Sequence, residues 1–169
     1  VGGADATTGL HSDDEDNVNH QEPKKLEDIF KINVTAAFQL TKLLTPILNR
    51  KRASIIFISS VMANIGDKGK TLYSITKGAV SAGARSLALE YASNNIRVNT
   101  IAPGIVNTPM TQNSTYKTNK ELYSKMLEKY PLGFGEPEDI ADACVFLLSD
   151  ASKWITGSEI TIDGGFSAN

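Results

Sequence analysis

Six consecutive residues, Ser54-Ile55-Ile56-Phe57-Ile58-Ser59, narrow the possible folds more than any other stretch of the chain. The run is short, almost wholly apolar and β-branched, without the polar alternation of a half-solvated strand, so it predicts a parallel strand covered on both faces. From residue 26 to about 48, Leu26, Ile29, Phe30, Val34, Ala37, Phe38 and Leu40 recur at steps of three and four. That spacing predicts a long helix with one buried face, bent by Pro46 near its end. Residues 72–92 predict a second helix, carrying Gly78, Ala79, Ser81, Ala82, Gly83 and Ala84. Each glycine there costs roughly 1 kcal/mol relative to alanine, so the close approach of another helix explains them better than helix stability does.

Residues 96–101 form a second predicted strand, stopped by Ala102-Pro103-Gly104. A polar stretch, 107–119, has little reason to be ordered alone. Helices are predicted at 121–130 and 137–149, the latter with Pro137 at its first position and acids in its first turn. Residues 160–162 make a last short strand, ended by Asp163-Gly164-Gly165, and the first two dozen residues read as loop. Strand, helix, strand, helices, strand is the order of an α/β fold with a doubly wound parallel sheet, here one domain over 1–169. Such sheets bind ligands beyond the carboxyl ends of their strands, which points to Ser59-Ser60 and to Ala102-Pro103-Gly104.

Composition removes several classes of function. Lys+Arg total 17 against 19 Asp+Glu, a formal charge of -2, so no basic surplus draws the chain to nucleic acid or to an anionic membrane. No apolar run reaches the roughly 18 to 20 residues of a membrane helix. The single cysteine, Cys144, excludes a disulfide framework, suits a reducing, cytoplasmic setting and is expected to pack as a small apolar group. The stretch His11-Ser12-Asp13-Asp14-Glu15-Asp16-Asn17-Val18-Asn19-His20 offers carboxylates and imidazoles. Val18, however, stands where a calcium loop needs glycine and the spacing matches no zinc pattern, so a solvated loop is expected and no metal site. Gly133-Phe134-Gly135 precedes a helix, but no strand feeds it, and it reads as a turn.

Tyr73-Ser74-Ile75-Thr76-Lys77 places a phenol and an ammonium on one helix face within mutual reach. Alone, this is an ordinary surface pair, and Tyr116 with Lys120 is a second one. The first differs in having Ser60 thirteen residues upstream, at the end of the apolar strand.

With these residues in view the chain resembles the short-chain dehydrogenase/reductase family. The resemblance rests on Lys31-Ile32-Asn33-Val34 in a long helix, Ser59-Ser60 at a strand end, the Tyr73/Lys77 pair, Asn99-Thr100-Ile101-Ala102-Pro103-Gly104 and Thr108. Gly135-Glu136-Pro137-Glu138-Asp139-Ile140-Ala141 and Thr156-Gly157 through Asp163-Gly164-Gly165 extend it. It covers about Asn33 to Gly165, each motif weak and their joint order strong. It implies a Rossmann-type fold and an NAD- or NADP-dependent oxidoreductase that interconverts a secondary alcohol and a ketone, as a homo-oligomer, dimer or tetramer. It further implies Tyr73 as general acid/base, Ser60 holding the substrate oxygen, Lys77 beside the cofactor ribose and Asn33 ordering a water relay. Tyr73, Lys77, Pro103, Gly104, Val106 and Thr108 become the cofactor contacts, the backbone at Pro103-Gly104 approaching the nicotinamide. A phenol titrating near ~10 needs a neighbouring positive charge to act near neutrality, and Lys77, helped by an oxidised nicotinamide ring, is the expected source.

Each residue also has a plainer role: Ser60 as a strand-end cap, Asn33 as a solvent-facing accident, Pro103-Gly104 as a turn. Two departures from the family stand out. The chain opens at Val1 without a strand, Gly-rich turn and helix for a pyrophosphate, Val1-Gly2-Gly3 looking like the tail of an Asn-Asn-Ala-Gly segment, so the N-terminal cofactor-binding part is expected to be missing. Without its neighbours the 54–59 strand would expose an apolar edge. Secondly, no arginine occurs in Pro131-Leu132-Gly133-Phe134-Gly135, where the family often has one. These departures leave a second reading open, a non-catalytic assembly or binding module built on the 26–48 and 72–92 helices. The region 107–129 would serve the enzyme as a lid over a small or mid-sized, partly apolar substrate.

Overall fold

A computed structural model describes residues 23–48, 52–112 and 119–168. Helix α1 (Pro23–Phe30) passes through a π turn (Lys31–Thr35) into α2 (Ala36–Leu48), and β1 (Ala53–Ile58) follows. Helix α3 (Thr71–Tyr91) leads to β2 (Ile96–Pro103). Three further helices, α4 (Pro109–Gln112), α5 (Lys120–Leu127) and α6 (Pro137–Leu148), precede β3 (Glu159–Ile162). The three strands are parallel in the order β1-β2-β3, with Ile58 opposite Ile101 and Pro103 opposite Ile162.

Side chains alternate across a strand, and the two faces of this sheet are covered by different helices. On one face Phe57, Ile96 and Val98 pack with Val80, Ala84 and Ala88 of α3, joined by Val34, Ala37 and Phe38. On the other, Ser54 Oγ donates to Leu147 O of α6 at 2.9 Å, and Arg97 Nη2 to Ser149 O at 3.1 Å. Asn99, fully buried on this second face, donates to Ile155 O (2.9 Å) and accepts from Ser158 N (3.1 Å), which satisfies its amide and ties the approach to β3 onto β2. The sheet is therefore doubly wound, as the apolar 54–59 run predicts.

Gly83 explains itself by packing. A Cβ there would stand 2.4 Å from Phe38 Cζ, and Phe38 is stacked on Phe57 with ring centroids 4.9 Å apart. Gly78 does not: the nearest atom to a Cβ is Ala63 O at 3.9 Å. The tight-packing explanation thus holds at one of the two helical glycines.

Other differences from expectation have local causes. The first helix starts at Pro23, where a missing N–H costs nothing, and contains the π turn, which heptad-type counting does not reveal. Strand β2 runs through Pro103 instead of stopping at Ala102, because Gly104 N donates to Ile162 O at 2.9 Å and continues the pairing with β3 just beyond the proline. Helix α5 ends at Leu127, so Tyr130 lies outside it and is buried, stacked on Phe166 at 4.7 Å and edge-on to Phe134 at 5.1 Å. Asp139 Oδ2 accepts from Glu136 N at 2.7 Å and caps α6 as its acidic first turn predicts. Cys144 is half-buried, and that burial pushes its thiol pKa up. The His11–His20 stretch and Tyr116 lie outside the described residues.

Candidate active site

The carboxyl edge of the sheet positions the candidate residues. Ser59 N donates to Ile101 O at 2.8 Å, so the chain leaves β1 alongside β2, and Ser60 follows as the N-cap of a short turn (Val61–Ala63). Met62 N donates to Ser60 Oγ at 3.2 Å, so the plain capping role is present. The same side chain also interacts with the Tyr73 phenol and lowers its pKa. Capping and pairing with Tyr73 are thus not alternatives, since a hydroxyl oxygen has two lone pairs and one proton to share.

Tyr73 and Lys77 lie one turn apart on α3. The Lys77 ammonium sits 5.6 Å from the Tyr73 ring centroid, against its face, and donates to Ile58 O at 3.1 Å. Burial lowers the Lys77 pKa, because a low-dielectric setting disfavours its charged form. Burial likewise raises the Tyr73 pKa, and the Ser60 side chain offsets part of the rise. Among the protein's own groups burial is thus the larger influence on Tyr73, and it favours the neutral phenol.

Asn33 lies in the π turn and is buried, which removes the solvent-facing reading. Its Nδ2 donates to Thr76 Oγ1 at 3.1 Å, and Thr76 Oγ1 donates to Tyr73 O at 2.8 Å. Thr76 has no exposed surface at all.

Sequence reasoning passed over a second polar chain beneath the site. Ser59 Oγ donates to Lys77 O at 3.0 Å and lies 2.7 Å from Ser81 Oγ. Ser81 Oγ donates to the Glu159 carboxylate, which also accepts from Asn64 Nδ2. One signal was available: Tyr73, Lys77 and Ser81 recur every four residues and share a helix face. Glu159 carried none, since its partners come from distant parts of the chain.

The remaining candidates follow β2. Pro103 is its last residue and Gly104 comes next; a Cβ on Gly104 would lie 2.9 Å from Asp163 Cα and 3.0 Å from Tyr130 Cε1. The glycine is thus required by the fold's own packing, whatever else approaches it. Burial would raise the Asp163 pKa, but hydrogen bonds from Ser167 and Gly165 outweigh it and hold the carboxyl below its ordinary range. Val106 forms a parallel bridge with Gly135, and its carbonyl accepts from Thr111 Oγ1 at 2.8 Å. Thr108 precedes α4, and its N–H donates to Thr111 Oγ1 at 2.9 Å. Gly133 adopts φ +79°, a turn conformation, in line with the reading of Gly133-Phe134-Gly135.

Chemically, the edge gathers a phenol whose neutral form burial favours, a hydroxyl that influences it and an ammonium against its face. A dinucleotide's ribose diol suits the ammonium's three donors, of which the bond to Ile58 uses one. Among the described residues no group of three or more His, Cys, Asp and Glu side chains converges as a metal site would need.

A family model described as enoyl-(acyl carrier protein) reductase matches residues 6–167, starting well ahead of Asn33. A 3-oxoacyl-(acyl-carrier-protein) reductase of Thermotoga maritima is 38% identical over 139 residues, 81% of this chain and 55% of that protein. The solved structure of a 4-hydroxyisoleucine dehydrogenase complexed with NADH superposes with a TM-score of 0.85 at 30% identity, covering 90% of this chain and 63% of that one. An Agrobacterium tumefaciens protein described as a candidate 2-deoxy-D-gluconate 3-dehydrogenase, with bound NADP, also gives 0.85, at 28% identity and coverages of 90% and 63%. The chain spans about half the length of the curated relatives it matches.

Proposed function

Because the chain belongs to the short-chain dehydrogenase/reductase family, we propose that it carries the catalytic residues of an NAD(P)-dependent oxidoreductase interconverting a secondary alcohol and a ketone. The observation that carries this reading is the Tyr73 phenol, with Lys77 against its ring and its pKa influenced by Ser60, at the carboxyl edge of a parallel sheet.

The nicotinamide supplies the hydride. In the reducing direction Tyr73 donates its proton to the substrate oxygen as negative charge grows there, and the Ser60 hydroxyl donates a second hydrogen bond to the same atom, an oxyanion-hole type of stabilisation. Lys77 holds the ribose and keeps positive charge near the phenol. Asn33 orders the proton path behind them, and Pro103, Gly104, Val106 and Thr108 line the nicotinamide side. Relatives named as a 3-oxoacyl-(acyl-carrier-protein) reductase and a 4-hydroxyisoleucine dehydrogenase accord with a small or mid-sized, partly apolar substrate that carries a carbonyl or hydroxyl.

The reading includes a cytoplasmic setting, consistent with a lone half-buried Cys144, and self-association as a dimer or tetramer through the outward faces of α2 and α3. No helix among the described residues is long and apolar enough to cross a membrane.

The test is titration with NADH and NADPH followed by nicotinamide fluorescence, then carbonyl reduction by the wild type and by Tyr73→Phe. Saturable binding, with a rate reduced by about 10²-fold or more when the general acid is removed, is the expected result. A Tyr73→Phe protein that keeps most of its rate overturns the mechanism. A folded wild type that binds neither cofactor favours the assembly-module reading instead.

A further inference from the structure

We propose that Glu159, at the start of β3, is a positioning residue that holds the Ser60 turn and the helix of Tyr73 and Lys77 at a fixed spacing. Its carboxylate receives a donor at each oxygen, Asn64 Nδ2 at Oε1 and Ser81 Oγ at Oε2. Asn64 closes the short turn that Ser60 opens, and Ser81 lies about one helical turn beyond Lys77. The second arm continues inward. Ser81 Oγ is 2.7 Å from Ser59 Oγ, and Ser59, the residue before Ser60, donates to Lys77 O at 3.0 Å. One side chain on β3 thus meets both segments that bear the proposed acid and its partners.

Ser59 and Ser81 are each 2% exposed, so a hydroxyl that loses its partner there has no bulk water to replace it. Among the described residues Glu159 forms no ion pair, and its two oxygens are taken up by neutral donors instead of a cation. Asn64, Ser81 and Glu159 come from distant parts of the chain, so these bonds fix the relative placement of a turn, a helix and a strand. A displacement of about 1 Å between reacting groups can lower a rate about 10²-fold, which makes the spacing of Ser60 from Tyr73 a kinetic quantity. That kinetic consequence rests on the oxidoreductase reading; the clamp itself does not.

Urea denaturation tests the clamp without any ligand. Asn64→Ala and Ser81→Ala are each made in the wild type and in Glu159→Ala, and the shifts they cause in the unfolding midpoint are compared. Each shift is expected to shrink about twofold or more once the carboxylate is gone, because the partner is already lost. Shifts that are equal in the two backgrounds overturn the proposal. Should Glu159→Ala fail to fold, Glu159→Asp, whose shorter side chain withdraws the carboxylate, replaces it in the same cycle. In carbonyl reduction, Glu159→Ala is expected to lower kcat about tenfold with little change in KM, and Glu159→Gln to stay within about threefold of wild type. The glutamine oxygen still accepts from Asn64 while its N–H₂ donates to Ser81, whose hydroxyl accepts as readily as it donates. Coupled midpoints with an unaltered kcat overturn the positioning role. A glutamine no better than alanine overturns it too, since both contacts are then present without effect. A wild type that reduces no carbonyl refutes the oxidoreductase reading, while the midpoints still decide whether Glu159 joins the two segments.

Discussion

Tyr73 combines two requirements that pull against each other. It must reach a substrate oxygen at the sheet edge, yet burial there raises its pKa above the ordinary 10.0 and favours the neutral phenol. A neutral phenol is the competent form for donating a proton, so carbonyl reduction should be flat across neutral pH and fall only as pH rises through the raised Tyr73 value. Alcohol oxidation needs the phenolate and should climb with pH over the same range. Lys77, shifted the other way by burial, loses its charge below its ordinary 10.5, so its deprotonation contributes to the alkaline limb of reduction. Rate profiles in both directions check this; reduction that rises with pH would contradict the assignment of Tyr73 as acid. At this scale the sequence was informative about residue types and blind to protonation: Tyr-x-x-x-Lys predicts proximity, but the sign of each shift depends on burial that only the packed edge creates.

Helix α3 is the element through which fold and site are coupled. The face that carries Val80, Ala84 and Ala88 into the core continues toward the start of the helix as the face that carries Tyr73, Lys77 and Ser81. Gly83→Ala places a methyl against Phe38 and forces that ring from its stack on Phe57, so it should cost about 1–3 kcal/mol of stability. Gly78→Ala meets nothing closer than 3.9 Å and removes a flexible residue from a helix interior, so it should stabilise by about 0.5–1 kcal/mol. Urea denaturation of the two variants separates them, and equal effects would mean that α3 is packed differently. The small-residue pattern announced a close contact, yet could not say which glycine made it. Likewise the apolar steps of the first helix predict its buried face, but the π turn at Lys31–Thr35 changes the angular count, and the burial of Asn33 follows from that turn.

Viewed as a whole, the molecule leaves substantial apolar surface on its helices. Leu43 and Ile47 of α2 are 75% and 65% exposed, and Leu89 of α3 is 81% exposed. If these faces mediate self-association, sedimentation velocity should show a dimer or larger species, and the double change Leu43→Glu with Ile47→Glu should shift it toward monomer without loss of helical signal. A wild type that sediments as a well-folded monomer refutes the assembly.

By itself the sequence determined the alternation of strands and helices, the doubly wound parallel class and the pairing of Tyr73 with Lys77. Those features are written in an unbroken apolar, β-branched run and in steps of three and four residues, which act over a few residues of strand or a turn of helix. The tertiary structure alone decided that Asn33 meets Thr76, that Ser59 reaches Glu159 through Ser81, that β2 continues through Pro103 and that Gly104 is demanded by Asp163 and Tyr130. Each of those contacts joins residues far apart in the chain. Their meeting depends on sheet register, which sets relative positions across strands and which no local pattern encodes.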